Sequence, residues 1–135
     1  KQCIQKAREG VKLDELKNYS EKILTDGMIS KGILKNRKSF KKYTIHGVSH
    51  HIGLDTHDAV PYKLNKDLDD RLVTGDVITI EPGLYFPFGS KEIPKKYWGT
   101  GVRIEDDVVI GKNGCLNLTK KAVKEIDEIE KLMQQ

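Results

Sequence analysis

The stretch VITIEPGLYF, residues 77–86, decides the fold of this chain. Its β-branched run at 77–80 is typical of a strand that ends on Glu81, because Pro82-Gly83 follows at once. Residues 84–86 then resume as a second strand. The stretch therefore predicts two short strands joined at a bend that carries a carboxylate.

A related pattern, GVRIEDDVVI at 101–110, predicts two further short strands separated by Asp106-Asp107. Side chains alternate between the faces of a strand, so Arg103 and Glu105 share one face. Burial of a carboxylate is costly unless a cation or hydrogen bonds compensate it. Considered one at a time, the two glutamates have simple structural explanations. Glu105 could form a salt bridge with Arg103, and Glu81 could be exposed beside a turn.

The rest of the chain places helices around this β-rich block. Apolar residues recur at helical spacing through residues 12–31, and Gly32 is placed to end that helix. Residues 43–45 are typical of a short strand, and residues 61–76 of a polar loop. A second amphipathic helix is predicted near the C-terminus, with Thr119 as its N-cap. This order predicts an α+β fold, with a largely antiparallel sheet covered by helices on one side.

Composition excludes several classes of protein. The chain has 135 residues, of which 37% are hydrophobic and 33% charged, which fits one soluble domain. No apolar run approaches the roughly 20 residues that span a membrane, and no targeting segment is recognisable. Cys3 and Cys115 lie near opposite ends without metal-ligand spacing, which favours a reducing, cytoplasmic location over a disulfide scaffold.

The net charge of +4 comes largely from the stretch KGILKNRKSFKK, residues 31–42. Such a stretch could contact nucleic acid, but it has a single aromatic residue, Phe40, and no recognisable binding motif. A solvated lysine-rich loop is the simpler interpretation. We therefore predict no nucleic-acid partner and no membrane partner.

All four histidines lie within HGVSHHIGLDTHD, residues 46–58, at positions His46, His50, His51 and His57. Histidine is the side chain best suited to metal binding and to proton transfer near neutral pH. One imidazole combined with carboxylates suits Mn(II), Co(II) or Zn(II) rather than a thiolate zinc site. Neither HExxH nor CxxC occurs, which excludes zincin and deaminase sites. Gly47 and Gly53 flank the central histidines and leave room for a ligand.

Together these three motifs resemble the C-terminal part of the pita-bread metallopeptidases, which include methionine aminopeptidase, prolidase, aminopeptidase P and creatinase. The phrases GVSH and GLDTHD are most similar to the Xaa-Pro aminopeptidases, and the resemblance covers residues 11–118. It implies a partial pita-bread fold: a curved, mainly antiparallel sheet with helices on one face. Residues 1–135 would be the C-terminal portion of such a catalytic domain.

The resemblance also implies a metal site. His50 matches the family's one histidine ligand, Glu81 its first glutamate ligand, and Glu105 the glutamate that bridges two metals. Two divalent ions are implied, with Mn(II) favoured and Co(II) or Zn(II) as alternatives. In a complete enzyme of this type, they would hold a bridging hydroxide that attacks the carbonyl of an Xaa-Pro bond.

The remaining matched residues imply contacts with the substrate, a peptide with proline in second position. His57 matches the histidine that contacts the scissile carbonyl region and helps to stabilise the tetrahedral intermediate. Glu81 is also the best candidate for moving protons between the attacking water and the leaving amine. His46, Tyr85 and Arg103 match the residues that line the proline pocket, and His46 is counted among the catalytic residues. His51 occupies a variable position and receives no role.

One feature of the family is missing. Two further aspartate ligands, separated by ten residues on an upstream hairpin, have no counterpart in this sequence. Asp14 and Asp26 come nearest, but eleven residues separate them on a helical pattern, so we do not accept them. We therefore expect the upstream half to be absent from this chain, leaving three of five ligands and little or no activity alone. Family members often dimerise, so the resemblance allows a homodimer.

The sequence also allows two other functions. One is a non-catalytic peptide- or histone-binding module of the same fold. Such relatives usually lose the ligands, whereas all three matching positions are intact here. The other is amidino hydrolysis of the creatinase type, which the GVSH and GLDTHD phrases disfavour.

Overall fold

A computed structural model describes residues 1–60 and 69–134 of the chain. Its helices are α1 (Gln2–Lys6), α2 (Leu13–Ser30) and α3 (Ile126–Met133), with 3₁₀ helices at Arg37–Lys42 and Lys95–Tyr97. Its strands are β1 (Val77–Ile80), β2 (Gly83–Phe86), β3 (Thr100–Arg103), β4 (Asp106–Ile110) and β5 (Cys115–Asn117). The predicted α+β composition is confirmed.

The strands form two antiparallel sheets, β1-β4-β5 and β2-β3. The register is continuous between the two sheets. Ile80 pairs with Asp106, and three residues later on one side and three earlier on the other, Gly83 pairs with Arg103. A hydrogen bond from the Ile104 N–H to the Pro82 carbonyl crosses the interval. The two sheets are therefore one bent ribbon, interrupted where the sequence reads Glu-Pro on one side and Ile-Glu on the other.

A fourth extended segment lies along the free edge of β1. The Glu81 N–H donates to the Val48 carbonyl, and the Thr79 N–H donates to the His50 carbonyl. An isolated bridge pairs His51 with Ile78. The middle of the histidine window is thus held against β1 by backbone hydrogen bonds.

The core lies on the face of the ribbon that the helices cover. Ile78 and Ile80 of β1 and Val108 and Ile110 of β4 are buried there with Leu16 of α2. Since side chains alternate along a strand, Thr79 and the residues in register with it lie on the opposite face. The apolar core therefore anchors one face and leaves the other free to carry polar groups.

Three short segments differ from their predicted secondary structure. Tyr43 ends the 3₁₀ helix at Arg37–Lys42 rather than opening a strand, since its N–H donates to the Phe40 carbonyl. That 3₁₀ helix, with Phe40 buried, replaces the simple loop expected there. Asp106 and Asp107 belong to β4, and the break between strands falls at residues 104–105.

The C-terminal helix begins at Ile126, and its N-cap is Glu125, six residues later than the predicted N-cap. The side chain of Thr119 does not cap a helix: its hydroxyl accepts from the Asp107 N–H and donates to Asp106. The helix α2 fits its prediction, with Gly32 in the left-handed region at φ 65° just beyond its end. Residues 61–68 of the predicted 61–76 loop lie outside the described residues.

Across residues 1–60 and 69–134, no helix combines the length and the apolar character needed to cross a bilayer.

Candidate metal centre

Glu81 and Glu105 face each other across the bend of the ribbon. Glu81 follows Ile80 and Glu105 precedes Asp106, the last pair of the β1–β4 ladder, so the continuous register sets the two carboxylates opposite each other. Like charges placed directly opposite on one face destabilise a sheet. This pair is therefore a position where a cation is expected to compensate.

His50 completes the group. Its side chain lies on the same face as Thr79, since the neighbouring His51–Ile78 bridge sets His50 opposite that residue. One ligand atom from each of His50, Glu81 and Glu105 lies within 4.8 Å of the others. This is the one cluster of three or more histidine, cysteine or acidic side chains with that spacing in the described part of the chain.

Hydrogen bonding fixes which nitrogen of His50 faces the cluster. Its Nδ1 lies 3.0 Å from the His51 carbonyl, which can only accept, so Nδ1 carries the proton. Nε2 lies 3.2 Å from Oε1 of Glu81. With Nδ1 bonded to a carbonyl, Nε2 is the nitrogen left to face the carboxylates, and this arrangement fits a metal ion held by the histidine nitrogen and the carboxylates.

Thr79, to which the sequence assigns no role, links His50 to Glu81. It is 1% exposed. Its hydroxyl accepts from the His50 N–H at 3.0 Å and donates to Glu81 Oε1 at 3.1 Å. The sequence does contain a signal for this role, because Thr79 is a polar residue between two isoleucines and alternation places it on the same face as Glu81.

Arg103 lies beside both carboxylates. Its Nη1 is 3.8 Å from Glu81 Oε2, and its Nε is 3.7 Å from Glu105 Oε2. The Arg103 side chain is 51% exposed, so solvent screens both contacts. One guanidinium shared by two carboxylates leaves the group with net negative charge when His50 is neutral.

His46 and Tyr85 form a pair next to the cluster. The Gly47 carbonyl lies 2.6 Å from His46 Nδ1, which therefore carries the proton. Nε2 then accepts from the Tyr85 hydroxyl at 2.8 Å, with the two rings edge to face. His46 Nδ1 is also 3.8 Å from Glu81 Oε2, so the pair adjoins the carboxylates.

His57 stands over His50, with ring centroids 4.4 Å apart and planes at 81°. Its side chain is exposed, so it is free to contact a bound molecule. His51 is half-buried. Gly53 does not open space for a ligand, because a Cβ there would collide with the carboxylate of Asp58.

The structure thus brings together all seven residues predicted for the site, while their chemical roles stay predictions. Asp14 and Asp26 lie in α2, and Asp26 is paired with Lys22 and Arg37. Those pairs lower the pKa of Asp26, the hydrogen bond from Lys22 most of all. Neither aspartate belongs to the cluster.

Asp106, next to Glu105, points to the opposite face and ties the ribbon to the C-terminal segment. Its Oδ1 accepts three hydrogen bonds of 2.9 Å, from Lys124 Nζ, Asn117 Nδ2 and Thr119 Oγ1. Burial opposes ionisation of Asp106, but these donors outweigh it and hold the pKa of the carboxyl below its ordinary value.

The model of metallopeptidase family M24 matches residues 1–112. The chain is 41% identical over 135 residues to the mitochondrial intermediate cleaving peptidase 55 of Arabidopsis thaliana, covering 98% of this chain and 26% of that protein. It is 39% identical over 133 residues to the Xaa-Pro aminopeptidase of Escherichia coli, covering 93% of this chain and 30% of that protein.

Solved structures of E. coli aminopeptidase P are similar throughout the chain. The complex with the inhibitor Pro-Leu has a TM-score of 0.87 and 36% identity, covering 98% of this chain and 31% of that one. The zinc-substituted enzyme in complex with product gives the same values. The expected pita-bread architecture is therefore confirmed, while the chain spans less than a third of the length of these relatives. One of these relatives is named as a mitochondrial protein, so a cytoplasmic location of this chain stays a prediction. The homodimer also stays a prediction.

Proposed function

The chain belongs to metallopeptidase family M24, and on that premise we propose that it contributes to a metal-dependent exopeptidase that releases the N-terminal residue from Xaa-Pro peptides. The observation that carries the proposal is the convergence of one imidazole and two carboxylates within 4.8 Å on one face of the ribbon. Similarity to Xaa-Pro aminopeptidases over 93% of the chain supports the substrate class.

His50, Glu81 and Glu105 are the residues that would hold divalent metal, with Mn(II) as the proposed ion and Co(II) or Zn(II) as alternatives. The donor set fits, since nitrogen and carboxylate oxygen without thiolate suit these ions. When bound, such ions generate a nucleophile from water at neutral pH and polarise a carbonyl.

The other side chains act on the peptide and its protons. Glu81 reaches the centre from a buried position, where its carboxylate can pass a proton from the attacking water to the leaving amine. His57, exposed above His50, is placed to donate a hydrogen bond to the scissile carbonyl region. His46, Tyr85 and Arg103 form the wall that contacts the proline ring.

Three donors are few for two metal ions. We propose that residues 1–135 are the C-terminal part of the catalytic domain and that an upstream segment supplies two further carboxylates. The chain spans 30% of the E. coli Xaa-Pro aminopeptidase, which leaves length for such a segment in a protein of that size. Without it, we expect the 135-residue chain to hydrolyse little or nothing.

The test is hydrolysis of an Xaa-Pro tripeptide with Mn(II), Co(II) or Zn(II), by the 135-residue chain and by the protein at its full natural length. We expect the free N-terminal residue to be released only at full length, and an Xaa-Ala tripeptide to be cleaved far more slowly. Robust turnover by the 135-residue chain would contradict the proposed division of the site. Failure of the full-length protein to take up metal or cleave either peptide would favour a peptide-binding module, and cleavage of a small amidine would favour the creatinase type.

A further inference from the structure

The ring of Tyr85 occupies the space that side chains at two glycines would fill. A Cβ on Gly83 would lie 2.9 Å from both Cε2 and the hydroxyl oxygen of Tyr85, and 2.7 Å from His46 Nε2. A Cβ on Gly101, which pairs directly with Tyr85 across the ribbon, would lie 2.7 Å from Cδ1 of the ring. The ring therefore rests on a surface made by two missing side chains.

Glycine is required at these two positions because a larger side chain would not fit, and not because of the backbone conformation. Five glycines of the chain have positive φ, the conformation that other residues rarely adopt, and they are Gly10, Gly32, Gly75, Gly89 and Gly99. Gly83 and Gly101 are not among them. Alanine would suit the backbone at either position, so the cost of a Cβ falls on Tyr85 and His46.

The consequence reaches the candidate pocket through one hydrogen bond. Resting on the glycines, the ring directs its hydroxyl to His46 Nε2 at 2.8 Å. Gly83, Tyr85, Gly101 and Arg103 share one face of the ribbon, continuous with the face that carries Glu81 and Glu105. A ring lifted by even about 1 Å would move the wall against which a substrate ring packs.

We propose that Gly83 and Gly101 are positioning residues that hold Tyr85 against His46 and so set the preference for proline after the scissile bond. This inference rests on the proposed function for its substrate, but the hydrogen bond that it concerns exists without substrate.

The first experiment measures that bond directly. In ¹⁵N NMR spectra of the substrate-free protein, the Nε2 shift of His46 reports whether it accepts from Tyr85. Gly83→Ala is the cleaner variant, because the atoms its Cβ would displace are the far ends of two side chains, which can move without unfolding the ribbon. We expect its His46 Nε2 shift to move toward that of Tyr85→Phe. A wild-type shift in Gly83→Ala overturns the proposal.

The second experiment uses specificity at full natural length. We expect Gly83→Ala and Gly101→Ala to lower the ratio of kcat/KM for Xaa-Pro over Xaa-Ala peptides by about tenfold. In a Tyr85→Ala background, Gly101→Ala should change the ratio by less than about twofold, because the ring it displaces is gone. Equal losses in both backgrounds, or equal losses on both peptides, overturn the proposal.

Gly114→Ala is the matched control, since Gly114 has no positive φ and an added Cβ there would have no atom within 4 Å. It should leave the His46 shift and the peptide ratio unchanged, and a change as large as that of Gly83→Ala would overturn the proposal. If the wild-type protein cleaves no peptide, the proposed function fails while the NMR comparison still decides whether the glycines hold the Tyr85–His46 bond.

Discussion

Glu81 and Glu105 occupy equivalent places on the two sides of one ribbon, yet the protein holds them differently. The Glu81 side chain is 10% exposed, and the Thr79 hydroxyl donates a hydrogen bond to it. The Glu105 side chain is 39% exposed, and its one ion pair in the described part of the chain is Arg103 at 3.7 Å. The protein thus preorganises the Glu81 side and leaves the Glu105 side to be ordered by what binds there.

The cause of this difference is the edge segment along β1. The carbonyls of Val48 and His50 accept backbone hydrogen bonds from Glu81 and Thr79, so the edge segment covers the Glu81 side of the ribbon. On the Glu105 side, Asp106 is anchored on the opposite face, toward the C-terminal segment. Buried polar groups held by several partners change little on binding, whereas exposed ones must be ordered at that moment.

The largest expected effect separates the two glutamates. We expect Glu81→Gln to weaken Mn(II) binding by more than about 100-fold, because it removes the charge from the ligand that the protein has positioned. Glu105→Gln should weaken it less, by about tenfold, because water can replace an exposed ligand. Calorimetric titration of the full-length protein measures both, and a greater loss at Glu105 would reverse the comparison.

Removing the Thr79 hydroxyl should make the Glu81 side resemble the Glu105 side. Thr79→Val leaves the part-buried His50 N–H without its partner and Glu81 with one donor fewer, which costs about 1–3 kcal/mol of unfolding free energy. We expect Mn(II) affinity to fall about tenfold as well. Thr79→Ser keeps the hydroxyl and is the control; if both variants bind metal like wild type, Glu81 does not depend on Thr79.

The Asp106 anchor predicts a pH dependence on the other side. Because its folded pKa is lowered, its contribution to stability is fully present above the unfolded aspartate pKa of about 3.9 and is lost as pH falls through the folded value. Asp106→Asn should cost about 1 kcal/mol at neutral pH and flatten the loss of stability below about pH 4. Urea unfolding at several pH values measures this, and an unchanged slope would show that Asp106 is not stabilised as an anion.

The smallest effect is expected in α2, which contributes no residue to the cluster. Gly27 in α2 is exposed, lacks positive φ and has no atom within 4 Å of an added Cβ. Gly27→Ala should stabilise the fold by about 0.5–1 kcal/mol without altering Mn(II) affinity. Thermal unfolding and metal titration together check this, and a change in affinity would mean that the centre responds to stability in general.

The sequence predicted the parts of the site that depend on local alternation. Period-two spacing in VITIE and VRIE assigns Thr79 to the Glu81 face and Arg103 to the Glu105 face, and both assignments agree with the observed register. The helix at Leu13–Ser30 was equally readable, because its apolar spacing and its terminal glycine are local signals.

The remaining features depend on contacts between distant segments. The edge segment pairs with β1 around His51, whereas the sequence pattern predicts a strand at 43–45. Three backbone hydrogen bonds hold the edge segment, and backbone hydrogen bonds do not require a particular residue type, so the sequence does not reveal this pairing. The roles of Thr79 and Gly101 follow from partners 29 and 16 residues away, respectively. The start of α3 was misplaced because Asp106, not a helix, takes the Thr119 hydroxyl.

The most direct measurement is anomalous X-ray diffraction from crystals of the full-length protein grown with Mn(II). The account predicts a manganese peak bonded to His50 Nε2 and to carboxylate oxygens of Glu81 and Glu105. Manganese bound elsewhere, with these three side chains contacting only one another and Arg103, would contradict it.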